Sequence, residues 1–174
     1  MKLKIKVKVL TNGCMPKLSE KGDAIDLRAA KDIIIAAPQA GTQYTKDNEK
    51  YRDVKTSFTI VPLGVAMELP KGFVADLKPR SSMFKKWHII QTNTPGLIDS
   101  TYNGDDDEWG LTVAALNKST IHKGDRLCQF EIRLSQNATF WQKLKWLFSS
   151  GIELIQVEDL NNKSRGGFGS TGIQ

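Results

Sequence analysis

The chain has 174 residues, of which 40% are hydrophobic and 25% charged, and its formal net charge at pH 7 is +6. This length and composition are those of one soluble globular domain with its own core, and they exclude a disordered chain. The positive charge suits three kinds of partner: nucleic acid, a membrane surface, or a small and strongly anionic ligand.

The first predicted element is a strand over residues 2–10, in which lysines alternate with aliphatic residues. A period of two predicts one buried face and one face of lysines directed to solvent. Much of the positive charge lies here, without the stacking aromatic residues that interleave with basic residues in nucleic-acid-binding tracts. We therefore expect a solvated face and no nucleic-acid partner.

Short β-type runs continue along the chain, with glycine or proline near most of the breaks. Many short strands at this spacing predict an all-β sandwich or jelly roll. The chain carries neither an internal repeat nor a linker long enough to divide it into domains. The predicted strands are residues 2–10, 33–36, 57–69, 72–78, 87–91, 111–117, 126–134 and 152–157.

Two segments depart from this rhythm. Residues 40–56 are polar and turn-like, which predicts an exposed loop. Residues 139–150 place apolar side chains at helical spacing behind Thr139, a suitable N-cap. This helix could bind a partner or lie on a membrane surface, but a helix packed on its own barrel is the favoured interpretation.

The two cysteines, Cys14 and Cys128, have no partner at metal-ligand spacing. With no signal sequence or transmembrane span evident, we expect a reducing cytoplasm and no membrane partner. Cys128 lies among apolar residues and is interpreted as a small core residue. His88 and His122 are expected to be surface or structural residues, since neither has a second ligand nearby in sequence.

The most informative segment runs from Gly96 to Gly104 and carries one carboxylate, Asp99, and one aromatic residue, Tyr102. Two apolar residues precede Asp99, so its carboxylate is expected to leave a strand end in a sheltered but wet cleft. A general base would occupy such a position.

Two other segments carry groups that suit phosphate oxygens. Pro79–Ser82 places the Arg80 guanidinium beside two hydroxyls after a predicted strand. The tail over residues 161–172 combines glycines, hydroxyls and Arg165, and glycine lets backbone N–H groups approach oxygens closely. Such a tail is more often a disordered terminus, and the alternative is a tail that orders over a ligand.

Five segments, in order along the chain, resemble the five motifs of the homotrimeric dUTP diphosphatases (dUTPases). The similarity is to the longer enzymes of Gram-positive bacteria and their phages. The five segments are residues 23–27, 79–82, 96–104, 124–129 and 165–172.

The resemblance implies a distorted jelly-roll, or β-clip, barrel subunit with a short inserted helix, formed by residues 1–160. A flexible glycine-rich arm, residues 161–174, would close on the active site. The homotrimer would hold three active sites between subunits, each drawing residues from all three chains. Each site would hydrolyse dUTP to dUMP and pyrophosphate, keeping uracil out of DNA and supplying dUMP for dTMP synthesis.

The resemblance also implies roles for residues. Asp99 would activate the water that attacks the α-phosphorus, while Tyr102 packs on the deoxyribose. Asn93 and the backbone of Gly96, Leu97 and Ile98 would read uracil, with Phe168 stacking over it. The α- and β-phosphates would contact Arg80, Ser81, the Ser82 backbone and Gln129, and the γ-phosphate would contact Arg165, Gly169, Ser170 and Thr171. Magnesium would be held mainly by the triphosphate and waters, with Asp26 orienting Arg80 or a metal-bound water.

The sequence departs from the family pattern in places. The first motif has Ala24 and Ile25 where the family usually has glycine and tyrosine, which leaves Asp26 in place. An extra acidic run, Asp105–Glu108, is predicted to be a solvated hairpin loop, with a cation site as the alternative. Residues 40–56 and 139–150 also resemble insertions.

Two alternative functions remain open from the sequence. The related dCTP deaminases have a catalytic glutamate in the strand after the hairpin, where residues 111–117 contain no acid here, and an arginine where this chain has Lys85. Phage members of the family also act as regulatory proteins. Such a protein would use residues 40–56, the acidic run or the helix to contact a protein partner.

Overall fold

The computed structural model describes residues 1–19 and 22–167, which form fifteen strands and two short helices. The strands are β1 Leu3–Val9, β2 Lys17–Leu18, β3 Ile25–Arg28, β4 Ile33–Ile35, β5 Gln39–Lys46, β6 Glu49–Lys55, β7 Phe58–Pro62, β8 Val65–Glu68, β9 Phe73–Pro79, β10 Ile89–Gln91, β11 Gly96–Asp99, β12 Gly110–Ala115, β13 Ser119–Ile121, β14 Arg126–Leu134 and β15 Ile152–Val157. The helices are α1 Met83–Trp87 and α2 Phe140–Leu147.

The largest sheet has five antiparallel strands in the order β11-β9-β14-β3-β2. Two three-stranded sheets have the orders β15-β1-β8 and β10-β12-β7, and two further pairs are β13-β4 and β5-β6. Most paired strands are distant in sequence, as in a jelly roll. This arrangement confirms the predicted all-β fold.

The apolar faces of the sheets meet in one core. At its centre Trp109 and Phe130 are both fully buried and pack edge to face, with 5.1 Å between ring centroids. Leu3 and Ile5 of β1 enter the same core, while the alternate residues Lys2, Lys4 and Lys6 are exposed. The predicted alternation of β1 is therefore confirmed.

Residues 40–56 do not form the predicted loop, although they are exposed as predicted. They lie in the hairpin of β5 and β6, whose turn residues Asp47 and Asn48 have φ of 51° and 65°. Two central residues with positive φ are typical of the type I′ turn, which matches the twist of paired strands. Since neither face of this hairpin is buried, its sequence lacks the alternation by which strands are predicted.

The predicted strand over residues 57–69 is divided into β7 and β8. Gly64 lies at the break with a φ of 69°, and a Cβ there would lie 2.8 Å from the Cys14 sulfur. Glycine is required by both the backbone conformation and the close approach. The strand predicted to begin at residue 87 begins at Ile89, because α1 ends at Trp87.

Helix α2 begins where it was predicted to begin. The Thr139 hydroxyl accepts from the Gln142 N–H, and the Gln142 side chain accepts from the Thr139 N–H, which completes a capping box. The helix contacts its own barrel through Trp146, whose ring centroid lies 5.6 Å from that of Phe73. The helical spacing of Phe140, Leu144, Leu147 and Phe148 predicts that these residues face the barrel. Only Leu144 of them is half-buried; the barrel instead meets Trp146 and the Gln142 side chain, which lies against Gly72. The exposed side chains on α2 and at its C-cap include Phe140, Trp141, Leu147 and Phe148.

The predictions for Cys128 and for the two histidines are confirmed. Cys14 and Cys128 are buried free thiols, and burial raises the pKa of both, most strongly that of Cys128. His88 and His122 are exposed. Within residues 1–19 and 22–167, neither helix is long and apolar enough to cross a bilayer.

We expect Phe130→Ala to reduce the free energy of unfolding by about 3–5 kcal/mol, because it leaves a cavity beside Trp109 in the centre of the core. Urea denaturation followed by tryptophan fluorescence measures the change. Phe84→Ala, at a half-exposed position on α1, is the matched control and should change stability by less than about 1 kcal/mol. Equal losses in the two variants would contradict this view of the core.

Candidate active site

A pocket of about 220 Å³ lies beside the segment from Gly96 to Gly104. Strand β11 forms one wall, and residues 165–167 of the C-terminal segment also line the pocket. The predicted residues that line this pocket are Asn93, Gly96, Leu97, Ile98, Asp99, Tyr102 and Arg165. The structure therefore brings together the proposed base, the proposed uracil-reading segment and one arginine of the arm.

Asp99 is the last residue of β11, and 43% of its side chain is exposed. The backbone N–H and the hydroxyl of Thr101 both donate to its Oδ1, and one guanidinium nitrogen of Arg165 lies 3.1 Å from each carboxylate oxygen. Burial raises the pKa of the Asp99 carboxyl, but these hydrogen bonds and the Arg165 charge outweigh burial and lower it overall. Asp99 is therefore ionised at neutral pH.

Asn93 is held at the pocket by two contacts. Its side-chain oxygen accepts a hydrogen bond from the Thr112 hydroxyl, and its backbone carbonyl accepts one from the Gln91 side chain. The Gln91 side chain also donates to the Leu77 carbonyl of β9. With its oxygen engaged, the Asn93 amide presents its nitrogen as a donor for a ligand carbonyl.

Tyr102 forms a second wall of the pocket. Its hydroxyl donates to the Glu108 carbonyl over 2.9 Å, which fixes the ring. A Cβ on Gly167 would lie 3.0 Å from this ring, so the arm backbone passes directly over the tyrosine. Burial, together with the nearby Asp107 and Glu108 carboxylates, raises the pKa of Tyr102, which keeps the phenol neutral.

A second polar cluster lies on the same large sheet. The Asp26 carboxylate, largely buried on β3, accepts from Arg126 over 3.1 Å and lies 3.3 Å from the Arg80 Nε. Gln129 is directly opposite Asp26 in the strand register, and Lys78 is directly opposite Gln129. Since directly opposed residues share a sheet face, this cluster presents several cationic and amide donors on one face.

Two predicted phosphate ligands stand at the end of this cluster. Ser81 is exposed and Ser82 precedes α1 as its N-cap residue. The prediction assigned the backbone of Ser82, and its hydroxyl makes no capping hydrogen bond to the helix.

The two groups of predicted residues are apart in the single chain. Asp99 pairs with Val74 near the start of β9, whereas Gln129 pairs with Lys78 near its end. These four residues of β9 correspond to about 14 Å at the usual rise of a strand. Gln129 also lies two strands from Asp99, so neither it nor Arg80 reaches the pocket of its own chain.

The C-terminal arm differs from expectation in its described part. Residues 161–167 lie on the hairpin of their own chain, and Arg165 contacts Asp99 of the same chain. The resemblance predicts that the arm reaches another subunit. The remaining predicted arm residues, Phe168, Gly169, Ser170 and Thr171, lie outside the described residues.

The acidic run is not the solvated loop that its charge predicts. Asp107 is 1% exposed and accepts hydrogen bonds from the Gly104 N–H, the Ser164 hydroxyl and the Arg165 N–H. Burial raises the pKa of Asp107, but these hydrogen bonds outweigh it and lower the pKa overall. Adjacent carboxylates favour exposure only when the chain offers them no hydrogen-bond donors. Here the C-terminal arm supplies such donors.

Sequence reasoning also missed three other residues at these sites. Thr101 holds Asp99, Arg126 contacts Asp26, and Gln91 ties Asn93 to β9. Arg126 lies inside a recognised motif and could have been found from its charge. Thr101 also lies inside a recognised motif, residues 96–104, but the roles of Thr101 and Gln91 depend on the turn and on strand pairing, which their residue types do not indicate.

Comparison with known proteins identifies the family. A family model described as dUTPase matches residues 49–172. The chain is 42% identical, over the full length of both proteins, to the SPbeta prophage-derived deoxyuridine 5'-triphosphate nucleotidohydrolase YosS of Bacillus subtilis (strain 168).

Solved structures share the fold. The dUTPase from Streptococcus mutans superposes with a TM-score of 0.60 at 19% identity, covering 77% of this chain and 98% of that one. A mutant dUTPase from phage phi11 of S. aureus, described with a structural Mg(II) ion, superposes with a TM-score of 0.58 at 17% identity. The match covers 78% of this chain and 94% of that one. Since the family model covers most of the chain and a close relative covers all of it, the chain belongs to the dUTPase family.

Proposed function

We propose that this chain is a dUTP diphosphatase that hydrolyses dUTP to dUMP and pyrophosphate. The observation that carries the proposal is the Asp99 carboxylate, ionised and half-exposed at the rim of a pocket lined by Asn93 and the β11 backbone. The activity matches the name of the relative YosS. The reaction would keep uracil out of DNA and supply dUMP for dTMP synthesis.

In the proposed reaction Asp99 accepts a proton from a water molecule that attacks the α-phosphorus. The new bond joins the water oxygen to the α-phosphorus, and the bond from that phosphorus to the α–β bridging oxygen breaks. Pyrophosphate leaves with the electron pair. The protein contributes a positioned base and charge neutralisation, which are the main requirements of phosphoryl transfer.

Substrate recognition is assigned to the pocket walls. The Asn93 amide nitrogen donates to a uracil carbonyl, and the backbone from Gly96 to Ile98 reads the rest of the base edge. Tyr102 packs on the deoxyribose and leaves no room for a 2′-hydroxyl. The Glu108 carbonyl that holds the Tyr102 hydroxyl makes this wall rigid, and rigid walls reject additional atoms better than flexible ones.

Arg165 would change partner when substrate binds. In the ligand-free chain it lies on Asp99 and weakens that carboxylate as a base. If the guanidinium moves to the γ-phosphate, the charge next to Asp99 is removed and its basicity increases. Gly169, Ser170 and Thr171 would complete this phosphate site, and Phe168 would cover uracil as the arm of residues 161–174 closes.

The α- and β-phosphates are assigned to Arg80, Ser81, the Ser82 backbone and Gln129. Asp26 orients Arg80, because its carboxylate already contacts the guanidinium groups of Arg80 and Arg126. Of the two roles predicted for Asp26, this contact favours the one in which it orients Arg80, rather than the one in which it positions a metal-bound water.

If active sites lie between subunits of a homotrimer, the pocket at Asp99 of one chain can meet the phosphate cluster of another chain, although the two are apart within one chain. A phosphate cluster about 14 Å along the sheet from Asp99 cannot hold the phosphates attacked at Asp99 of the same chain. The sheet of β10, β12 and β7 supports association, because it exposes Phe58, Ile60 and Ile90 on one face. Exposed apolar faces of this kind mark protein interfaces.

Magnesium is proposed to enter with the nucleotide, held mainly by triphosphate oxygens and waters. In the described part of the chain, no three His, Cys, Asp or Glu side chains are placed to hold a metal ion, and Asp26 and Asp99 are paired with arginines. The ion would neutralise phosphate charge. The phi11 enzyme, whose fold is similar, is described with a structural Mg(II) ion.

The remaining predictions concern cellular context. The buried free thiols Cys14 and Cys128 suit a reducing cytoplasm. A regulatory protein partner stays a prediction, since similarity to a phage dUTPase agrees with it without favouring it. Deamination of dCTP is disfavoured because β12, after the hairpin, carries no carboxylate.

Asp99→Asn should reduce pyrophosphate release from dUTP and magnesium by at least about 100-fold, because the amide cannot accept the proton of the attacking water. Nucleotide binding, measured by calorimetry, should persist. Asp47→Asn, in the exposed β5–β6 turn, is the control and should retain full activity. Substantial turnover by the Asp99 variant would contradict the mechanism.

Arg165→Ala should raise the pKa of Asp99 in the ligand-free protein, because it removes the guanidinium that stabilises the ionised carboxylate. The lowered pKa of the native protein keeps Asp99 ionised to a lower pH than usual, and removal of the positive charge moves protonation to higher pH. An NMR titration that follows the Asp99 carboxyl carbon measures this pKa. Arg52→Ala on the exposed hairpin should leave the titration unchanged, and an unchanged titration in both variants would refute the pairing.

Mixed assemblies test whether sites lie between subunits. Arg80→Ala and Asp99→Asn should each be inactive alone. After co-refolding in equal amounts, about a quarter of the sites should join an intact Arg80 to an intact Asp99 from different chains. Light scattering should give a trimer. Sites contained within one chain would give no recovery of activity, and a monomer would exclude the proposal.

A further inference from the structure

The side chain of Asn93 is held by a buried hydroxyl on the strand next to it. Thr112 of β12 is 4% exposed, and its hydroxyl donates to the side-chain oxygen of Asn93. The backbone joins the same two segments, because the Thr92 N–H donates to the Thr112 carbonyl over 3.0 Å. The segment that follows β10 therefore lies directly against Thr112.

The hydroxyl proton of Thr112 decides which end of the Asn93 amide meets it. In residues 1–19 and 22–167 this hydroxyl makes no hydrogen bond other than the one to Asn93. If the amide turned by 180°, its NH2 group would face the hydroxyl, and a buried proton would lose its acceptor. An unpaired buried donor is costly, so the amide oxygen faces Thr112 and the amide nitrogen faces away from it.

The amide nitrogen of Asn93 lies on the pocket side. A Cβ built on Gly96 would lie 3.7 Å from this nitrogen, and both Gly96 and Asn93 line the pocket beside Asp99. Asn93 is exposed, so its two N–H hydrogens are accessible to a ligand. The pocket therefore presents a hydrogen-bond donor whose direction is fixed from outside the pocket.

The backbone of Asn93 is held by contacts that do not involve its side chain. The buried Gln91 amide donates to the Asn93 carbonyl and to the Leu77 carbonyl of β9. The Thr94 hydroxyl donates to the Gln91 carbonyl. Loss of the Thr112 hydroxyl is thus expected to free the Asn93 amide to turn while its backbone stays in place.

An amide donor of fixed direction can distinguish uracil from cytosine. Uracil carries a carbonyl at C4, which accepts a hydrogen bond, whereas cytosine carries an amino group there, which donates one. The carbonyl at C2 is common to both bases. An asparagine free to turn would pair with either group at C4, because a turn of 180° exchanges its donor for its acceptor.

We propose that Thr112 is a positioning residue that makes the site select uracil over cytosine, by holding the Asn93 amide with its nitrogen towards C4 of the base. The inference rests on the proposed function, because it concerns the base of the proposed substrate. Thr112 itself does not touch the nucleotide. Cytosine is rejected because its amino group meets the Asn93 donor and both remain unpaired.

The test compares kcat/KM for dUTP with kcat/KM for dCTP in Thr112→Val, which has a similar shape and lacks the hydroxyl. The ratio of dUTP to dCTP should fall about tenfold or more, because one hydrogen bond no longer fixes the amide. Thr112→Ser keeps the hydroxyl and should keep the native ratio. Thr120→Val, at an exposed position on β13, is the matched control and should leave the ratio unchanged.

Binding of dUMP and dCMP, measured by calorimetry, tests the same selection without turnover. The native protein should bind dUMP more tightly than dCMP, and Thr112→Val should reduce this difference. Thermal unfolding of each variant checks that it is folded. Thr112→Ala also lacks the hydroxyl and should show the same reduced ratio, which covers the case that valine does not fit.

An unchanged ratio in the variants without the hydroxyl, or an equal fall in Thr112→Ser, would overturn the proposal. The first result would place the Asn93 amide on the C2 carbonyl, which the two bases share. The second would show that Thr112 acts through packing and not through its hydroxyl. Failure of the proposed function would appear separately, as a native protein that binds dUMP more tightly than dCMP and does not hydrolyse dUTP.

Discussion

The pairing of β9 with a strand on each side is the constraint on which the site depends. β11 pairs with its first half and β14 with its whole length, so the register fixes Asp99 near one end and the Arg80 cluster beyond the other. Neither cluster can move towards the other without breaking ladder hydrogen bonds. The rigid sheet fixes the residues within each cluster and keeps the two clusters apart in one chain.

Carboxylate–guanidinium contacts organise both the pocket at Asp99 and the polar cluster at Asp26. Asp26 contacts Arg80 and Arg126, and Asp99 contacts Arg165. In the ligand-free protein these contacts hold the arginines in place and neutralise their charge. An anionic nucleotide would compete with Asp26 and Asp99 for these guanidinium groups.

The fold class and the main candidate residues could be predicted because their signals are local. The alternation in β1, the capping box of α2 and the two apolar residues before Asp99 can each be recognised from a few consecutive residues. Burial of Asp107 could not be predicted, since its donors come from Ser164 and Arg165, far along the chain. The β5–β6 hairpin was missed because a ribbon with two exposed faces has no alternation to detect. The exposed side of α2 was misjudged because helical spacing defines an apolar face without saying what covers it.

The parallel pairing of β1 with β15 has a consequence for how the chain folds. Leu3 lies opposite Ile152, so the first strand of the described fold obtains one of its two neighbours only when nearly all of the sheet residues have been synthesised. Its other neighbour, β8, is available much earlier. During synthesis β1 therefore has an open edge for much of the time, and contacts of such sequence separation slow folding. The alternating lysines of β1 lie along this strand, and charged side chains on an open edge oppose pairing with other nascent chains.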